Sequence, residues 1–527
     1  MFARNILTWQ RKLYLKNIYE RRRRELVKVG FLFGAGAELC YKMPSGGKFA
    51  LDIFRQDVSP IKEKFKTIRN EIDPTTKYAA TWLPDDYETR SIGTFGKTVF
   101  ENIIKDTIEH NRDKIIEYLN DFDGIASSIV SNMLNAGYDV DKSIENIVGR
   151  KPDNISMKQK VSFVREFEEG DALFNNRYFS SLLMAYGKKE KFIKQENRSI
   201  IRRTILSILQ LQLGALSENL SRRINENPFK FKDDNIDIFD DIGDIIQLNY
   251  RASGVNGLEY LLDSEKADMS SDEGILANFA QQLLEEIFAS VLDYKSLIDS
   301  NWHYLYCPRV EWSKFCKICI FLFTVQKYIE EQCNKAELSE LGYYDDLKTA
   351  IENKGIELTS IATTNYTSII ERKLGDNIHY LNGATTKMYD PYVNKIMDAS
   401  EIGKGEKHIY VPLLFTQSGT KPMTSIDMSI EYVSVYNTFL ESDLICSIGF
   451  GFNSDDEHIN GVIRALVDKG KKLVVVCPDD VMPENKKAKI IAEKLRVSNA
   501  DLVKVIYIDK KTRRNGTKTW IELLKEI

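Results

Sequence analysis

The strongest constraint on this chain is where its α/β rhythm falls. After residue 355, short apolar segments (Ile356–Thr363, Asn377–Leu381, His408–Phe415, Asp443–Ile448, Lys472–Cys477 and Leu502–Ile508) alternate with helical ones. The helical segments are Tyr366–Leu374, Ser429–Leu440, His458–Asp468, Asn485–Leu495 and Thr519–Glu526. Strands that alternate with helices predict a doubly wound parallel sheet, because each parallel connection needs a crossover. Far upstream, Val27–Phe33 is one more apolar run of the kind a strand buried on both faces requires. It has no local strand to pair with, so the economical architecture brings it into the later sheet.

The intervening residues keep helical periodicity, over Thr98–Leu119, Gly124–Ala136, Lys158–Glu169, Ser199–Ile224, Glu273–Leu297 and Trp312–Asn334. The expected organisation is an N-terminal helix at 1–26, a split α/β domain at 27–60 and 356–527, and a mainly α-helical insertion at 61–355. At about 150 residues per domain, 527 residues would make roughly three domains, and one large domain with an insertion fits that length equally well.

Composition removes several function classes. Lys and Arg number 73 against 77 Asp and Glu, so general attraction to polyanions is not the design. Pairs such as Arg202-Arg203 and Arg222-Arg223 are too sparse for a nucleic-acid face. Nothing approaches the ~18–20 apolar residues of a membrane span; Cys319–Val325 is the most apolar stretch and is short. The N-terminus has Ile6, Trp9, Leu13, Leu15 and Ile18 at helical spacing, then Arg21 to Arg24, and no secretory h-region. That pattern is either a surface helix with a solvated basic end or a phosphate or nucleic-acid contact. Seven cysteines, an odd number over this length, suit a reducing compartment and a cytoplasmic protein.

Three strand ends carry residues suited to ligand chemistry. At the first, Gly34-Ala35-Gly36-Ala37 lets backbone N–H groups approach a phosphate that a following helix would favour. Leu39 stands where a dinucleotide fingerprint needs its third glycine, so a tight turn that binds nothing is equally open. At the second, Thr364-Asn365 ends a strand; the amide can hold a ribose hydroxyl or a water, or simply cap a helix. At the third, Gly449-Phe450 leads to Asp455 and Asp456 before a helix. In open α/β sheets ligands bind outside the carboxyl ends of strands, where all three features fall.

Strand–Gly34-Ala35-Gly36-Ala37 followed by Met43-Pro44-Ser45-Gly46 resembles the opening of the sirtuin family, in which a glycine turn leads to a cofactor loop. Thr364-Asn365-Tyr366 is similar to the sirtuin Thr-Gln-Asn segment as bacterial sirtuin-like proteins carry it. Ser442–Phe450 with Asp455–Ile459 resembles their late nucleotide-binding segment, and Lys472–Pro478 their last cofactor-side strand. The resemblance covers about residues 27–60 and 356–510.

It implies a sirtuin-like Rossmann-type sheet with NAD as substrate and no metal. Gly34, Ala35, Gly36 and Ala37 would hold the pyrophosphate. Asn365 would hold the nicotinamide ribose and the attacking water, while Pro44, Thr364, Gly449, Phe450, Asp455, Asp456 and Pro478 would line the remainder. Bacterial members with large helical additions hydrolyse NAD to ADP-ribose and nicotinamide as antiphage effectors, so the chain is expected to be an NADase. Self-assembly or a defence partner would gate it.

Two departures qualify this expectation. Deacylating sirtuins carry a four-Cys zinc ribbon, whereas only Cys446 and Cys477 lie in that part of this chain, which leaves a zinc-less deacylase as a third reading. Cys316 and Cys319 lie upstream on an apolar helix and read as core. The family's catalytic His-Gly is here Asn382-Gly383. His379 would substitute only if its strand bends, since alternate residues face opposite sides. Losing a general base costs roughly 10²–10⁴-fold, so slow turnover and an NAD- or ADP-ribose-binding sensor or scaffold both stay open.

Overall fold

The computed structural model describes residues 27–44, 46–94, 104, 107–108, 111–155, 173, 176–216, 235–237, 247–249, 255–263, 266–292, 302–338, 340–402, 405–414 and 425–527. The N-terminal helix expected over 1–26, the helix expected over Lys158–Glu169, and Arg222-Arg223 lie outside the described residues.

Contacts divide the chain into two units. One comprises the described residues of Met1–Ser45, Pro60–Ile92 and His303–Ile527; the other, those of Gly46–Ser59 and Gly93–Trp302. Residues 60–92 and 303–355 therefore group with the sheet, not with the helical segment expected over 61–355.

The first unit is built on a six-stranded sheet. Its strands are β1 (Lys28–Phe33), β2 (Glu357–Thr363), β3 (Ile378–Tyr380), β7 (Leu444–Ile448), β8 (Lys472–Pro478) and β9 (Val503–Ile508). The order is β9-β8-β7-β1-β2-β3, and every pair is parallel. The chain runs outward from β1 to β3, then returns to the other side of β1 and runs outward again. This Rossmann-like order places a topological switch point between β1 and β7. The upstream strand is thus central, as the unpaired apolar run required.

Helices cover both faces of β1, which explains why its sequence does not alternate. Phe31 and Phe33 share one face, meeting Trp520 edge-on at 6.2 Å and Tyr344 edge-on at 5.0 Å, respectively. On the other face Gly30 abuts Phe439 of helix Ile426–Leu440, where an added Cβ would lie 2.6 Å from the ring.

The segment expected over His408–Phe415 does not join this sheet. Its described part forms β6 (Val411–Leu414) in a separate antiparallel sheet, beside β4 (Gly383–Asp390), which also pairs with β5 (Lys395–Asp398). A tight turn with Asn394 at φ +55° joins β4 to β5, and a two-strand hairpin needs no crossover helix.

The second unit is helical. Helix Asp272–Val291 buries Leu276, Phe279, Leu283, Leu284, Ile287 and Phe288 completely. Ser271 caps its start by accepting from the Gly274 N–H at 3.2 Å. Helices Arg112–Asn120, Phe122–Asn135, Val140–Val148, Arg177–Gly187 and Gln195–Leu216 contribute to the same core. Among the described residues, no helix is long and apolar enough to cross a membrane.

Candidate functional site

The carboxyl ends of β1, β2, β3 and β7 lie side by side, with Phe33 paired to both Thr363 and Ile448, and Thr363 paired to Tyr380. The segments leaving these ends make the site.

The glycines after β1 serve a close approach of two backbones. The Gly34 N–H donates to Ile448 O at 2.9 Å and the Gly36 N–H to Gly449 O at 3.1 Å. A Cβ on Gly34 would sit 2.5 Å from Gly449 O, and one on Gly449, at φ +71°, 2.2 Å from Ala37 N. The Ala37 N–H donates to Gly34 O at 3.0 Å. The amides of 34, 36 and 37, read from sequence as phosphate donors, are therefore engaged within the protein. Ala35–Tyr41 is a 3₁₀ turn ended by Lys42 at φ +63°. Half-buried Pro44 follows it outside any helix or strand.

Beneath this turn is a polar floor. Asn365 donates through Nδ2 to Gly34 O at 3.2 Å and to the Tyr344 hydroxyl at 3.4 Å, while its N–H donates to Thr363 Oγ1 at 3.1 Å. The Thr364 N–H continues the β1–β2 pairing onto Phe33 O at 2.9 Å. Glu38, 2% exposed, accepts from Thr367 Oγ1 at 2.7 Å and from Tyr344 at 2.9 Å. Burial pushes the Glu38 carboxyl above its ordinary pKa, and hydrogen bonds from Thr367, Tyr344 and Asn365 oppose the rise. Burial next to this carboxyl also drives the Tyr344 phenol well upward.

Asn382 is 1% exposed and bridges two segments. Its Nδ2 lies 3.4 Å from Thr364 O, and its Oδ1 lies 3.1 Å from His458 Nε2. Thr364 O can only accept, so the amide nitrogen must face it and the amide oxygen must face the imidazole. His458 therefore holds its proton on Nε2. Its Nδ1 is enclosed and has no hydrogen-bond partner among the described residues. Burial lowers the His458 pKa to about 4, which keeps the ring neutral at pH 7.

His379 has a different partner. Its Nδ1 lies 2.8 Å from Glu431 Oε1 on helix Ile426–Leu440. Asn382 lies beyond this strand, in the turn that follows Tyr380.

On the β7 side, Phe450 is buried and packs edge-on against Phe452 at 4.9 Å. Asp456 is 1% exposed, just before helix Glu457–Asp468; the side chain of Asp455 lies outside the described residues. Asn460 Nδ2 donates to Asn453 O at 2.7 Å and pins this loop. Pro478 is exposed at the end of β8, two strands from β1.

The structure thus gathers Gly34–Ala37, Thr364, Asn365, Asn382, Gly449 and Phe450 at one edge. Sequence reasoning missed Glu38, Tyr344 and Thr367, and carried His458 only within the segment Asp455–Ile459, with no role of its own. Glu38 had a signal: an acidic residue within an otherwise small and apolar turn. Tyr344 had none, since it arrives from the region read as insertion. Among the described residues, no group of three or more His, Cys, Asp or Glu could hold a metal ion. Cys316 and Cys319 are fully buried in helix Trp312–Lys335. No protein-family model matches the chain, and no curated protein matches it either.

Proposed function

We propose that this protein is a sirtuin-like NAD glycohydrolase that converts NAD to ADP-ribose and nicotinamide as a cytoplasmic antiphage effector. The observation that carries the reading is convergence at the β1/β7 switch point. Four segments from four adjacent strand ends, 34–38, 364–367, 382 and 449–458, meet where Rossmann-like sheets take nucleotides.

Gly34, Ala35, Gly36 and Ala37 shape the pyrophosphate side, now through turn shape more than through free amides. Asn365 and Thr364 lie on the ribose side. Gly449, Phe450, Asp455, Asp456 and Pro478 belong to the adenosine side, with Pro44 on the cofactor loop. Hydrolysis breaks the C1′–N bond, its electron pair leaves with neutral nicotinamide, and water adds to C1′ and releases one proton. Self-assembly or a defence partner restrains the activity, since unrestrained NAD hydrolysis would harm the host.

A second reading is favoured by one observation. The amide of Asn382 has both ends hydrogen-bonded and no titratable proton, which suits a sensor or scaffold that binds NAD or ADP-ribose without turnover. Nicotinamide release by the purified full-length chain, with Asn365→Ala as control, separates the two. Release that the control lacks supports the hydrolase; thermal stabilisation by NAD without release supports the sensor.

A further inference from the structure

The site needs a proton acceptor, and the buried Glu38 carboxyl is already held by Thr367 and Tyr344. Asn382 does not titrate in water. His379 is tied to Glu431 on the outer helix. His458 remains, reaching the same strand-end edge from the first turn of helix Glu457–Asp468.

Resting on the hydrolase reading above, we propose that His458 is the proton acceptor of this site, and that Asn382 is a positioning residue that fixes its tautomer. Three features build the pair. Thr364 O orients the Asn382 amide, and the amide oxygen then holds Nε2–H at 3.1 Å. The opposite nitrogen, Nδ1, keeps its lone pair and has no protein partner among the described residues. Tyr432 holds the ring edge-on at 5.9 Å and 80°.

The logic is that of a base oriented by a third group through its other nitrogen. The Glu457 carboxylate is taken by Arg464 and Arg496, and Asp456 is buried beside it in the chain. The Tyr432 hydroxyl donates to Leu381 O.

In the step itself, the C1′–N bond breaks toward an oxocarbenium-like state and its electron pair leaves with nicotinamide. Water forms the new C1′–O bond, and one of its protons passes to Nδ1 and then to solvent. Water bonded to a cationic carbon is strongly acidic, so even a weak base accepts its proton.

The experiment measures nicotinamide release and NAD-induced thermal stabilisation for the full-length wild type, His458→Gln and His458→Ala, the last with and without added imidazole. Expected is a loss of turnover of about 10²-fold or more in both variants. NAD-induced stabilisation should persist, and free-base imidazole should partly rescue His458→Ala. Turnover by His458→Gln within about two-fold of wild type overturns the role of His458 while leaving the hydrolase reading intact. Loss of both turnover and NAD stabilisation without rescue makes His458 structural, and also overturns the proposal. A wild type that binds NAD but releases no nicotinamide overturns the proposal and the hydrolase reading together.

Discussion

Acid should weaken this fold through His458 in a way that can be isolated. Protonating the ring turns Nδ1 into a donor that has no acceptor, in a place where burial already disfavours charge. The unfolded chain takes up this proton near pH 6.5 and the folded chain only near pH 4. Between these values the unfolded state binds more protons, so stability falls as pH falls through that window. At about 1.4 kcal/mol per pH unit, the full contribution is ~3 kcal/mol by pH 4. Glu38 works in the opposite sense: its raised pKa gives stability that is present at low pH and lost as pH rises. Comparison with His458→Gln, which keeps Glu38, removes that second effect. Equilibrium urea unfolding of both proteins at several pH values between 7 and 4 is the assay. The stability of the wild type relative to the variant should fall by ~3 kcal/mol across the series. A difference constant to within about 0.5 kcal/mol, the size expected for an ordinary surface site, would refute the buried neutral imidazole.

Other substitutions probe the remaining contacts. Gly449→Ala puts a Cβ 2.2 Å from Ala37 N at φ +71°, so a loss of about 2–5 kcal/mol in urea unfolding is expected, together with loss of NAD-induced stabilisation. Glu38→Ala leaves the Tyr344 and Thr367 hydroxyls without their acceptor and should cost about 1–3 kcal/mol, whereas Glu38→Gln, closer to a protonated carboxyl, should cost less. His379→Ala breaks a partly exposed pair with Glu431, so stability should change by no more than about 1 kcal/mol and nicotinamide release by less than about two-fold. A large loss of turnover in that variant would return His379 to the site.

Much of the sheet was legible because strands buried on both faces read as continuous apolar runs. The segments at 27–33, 356–363, 443–448, 472–477 and 502–508 fall within a residue or two of β1, β2, β7, β8 and β9. The hairpin of β4 and β5 was not legible. Gly383–Asp390 mixes small and polar residues, and part of its support is distant: Gln326 of helix Trp312–Lys335 donates to Thr385 O at 2.7 Å.

The strand-end residues of the site followed from the same rhythm, but their partners did not. Helical periodicity marks His458 as the start of a helix and carries no information about Asn382, which lies on another strand end. Likewise, helix Tyr343–Glu352 reads as part of an insertion, although Tyr344 packs on Phe33 and closes the floor below Asn365. Local pattern fixes which residues form an element. Which buried donor meets which acceptor is decided by the tertiary arrangement.

The most direct test of the central claim is backbone hydrogen exchange of the full-length protein with and without NAD. If the switch point is the nucleotide site, NAD should slow exchange in the segments 34–38, 364–367, 382–385 and 449–458, and leave helix Asp272–Val291 unchanged. Protection confined to other segments, or none at saturating NAD, would contradict the account.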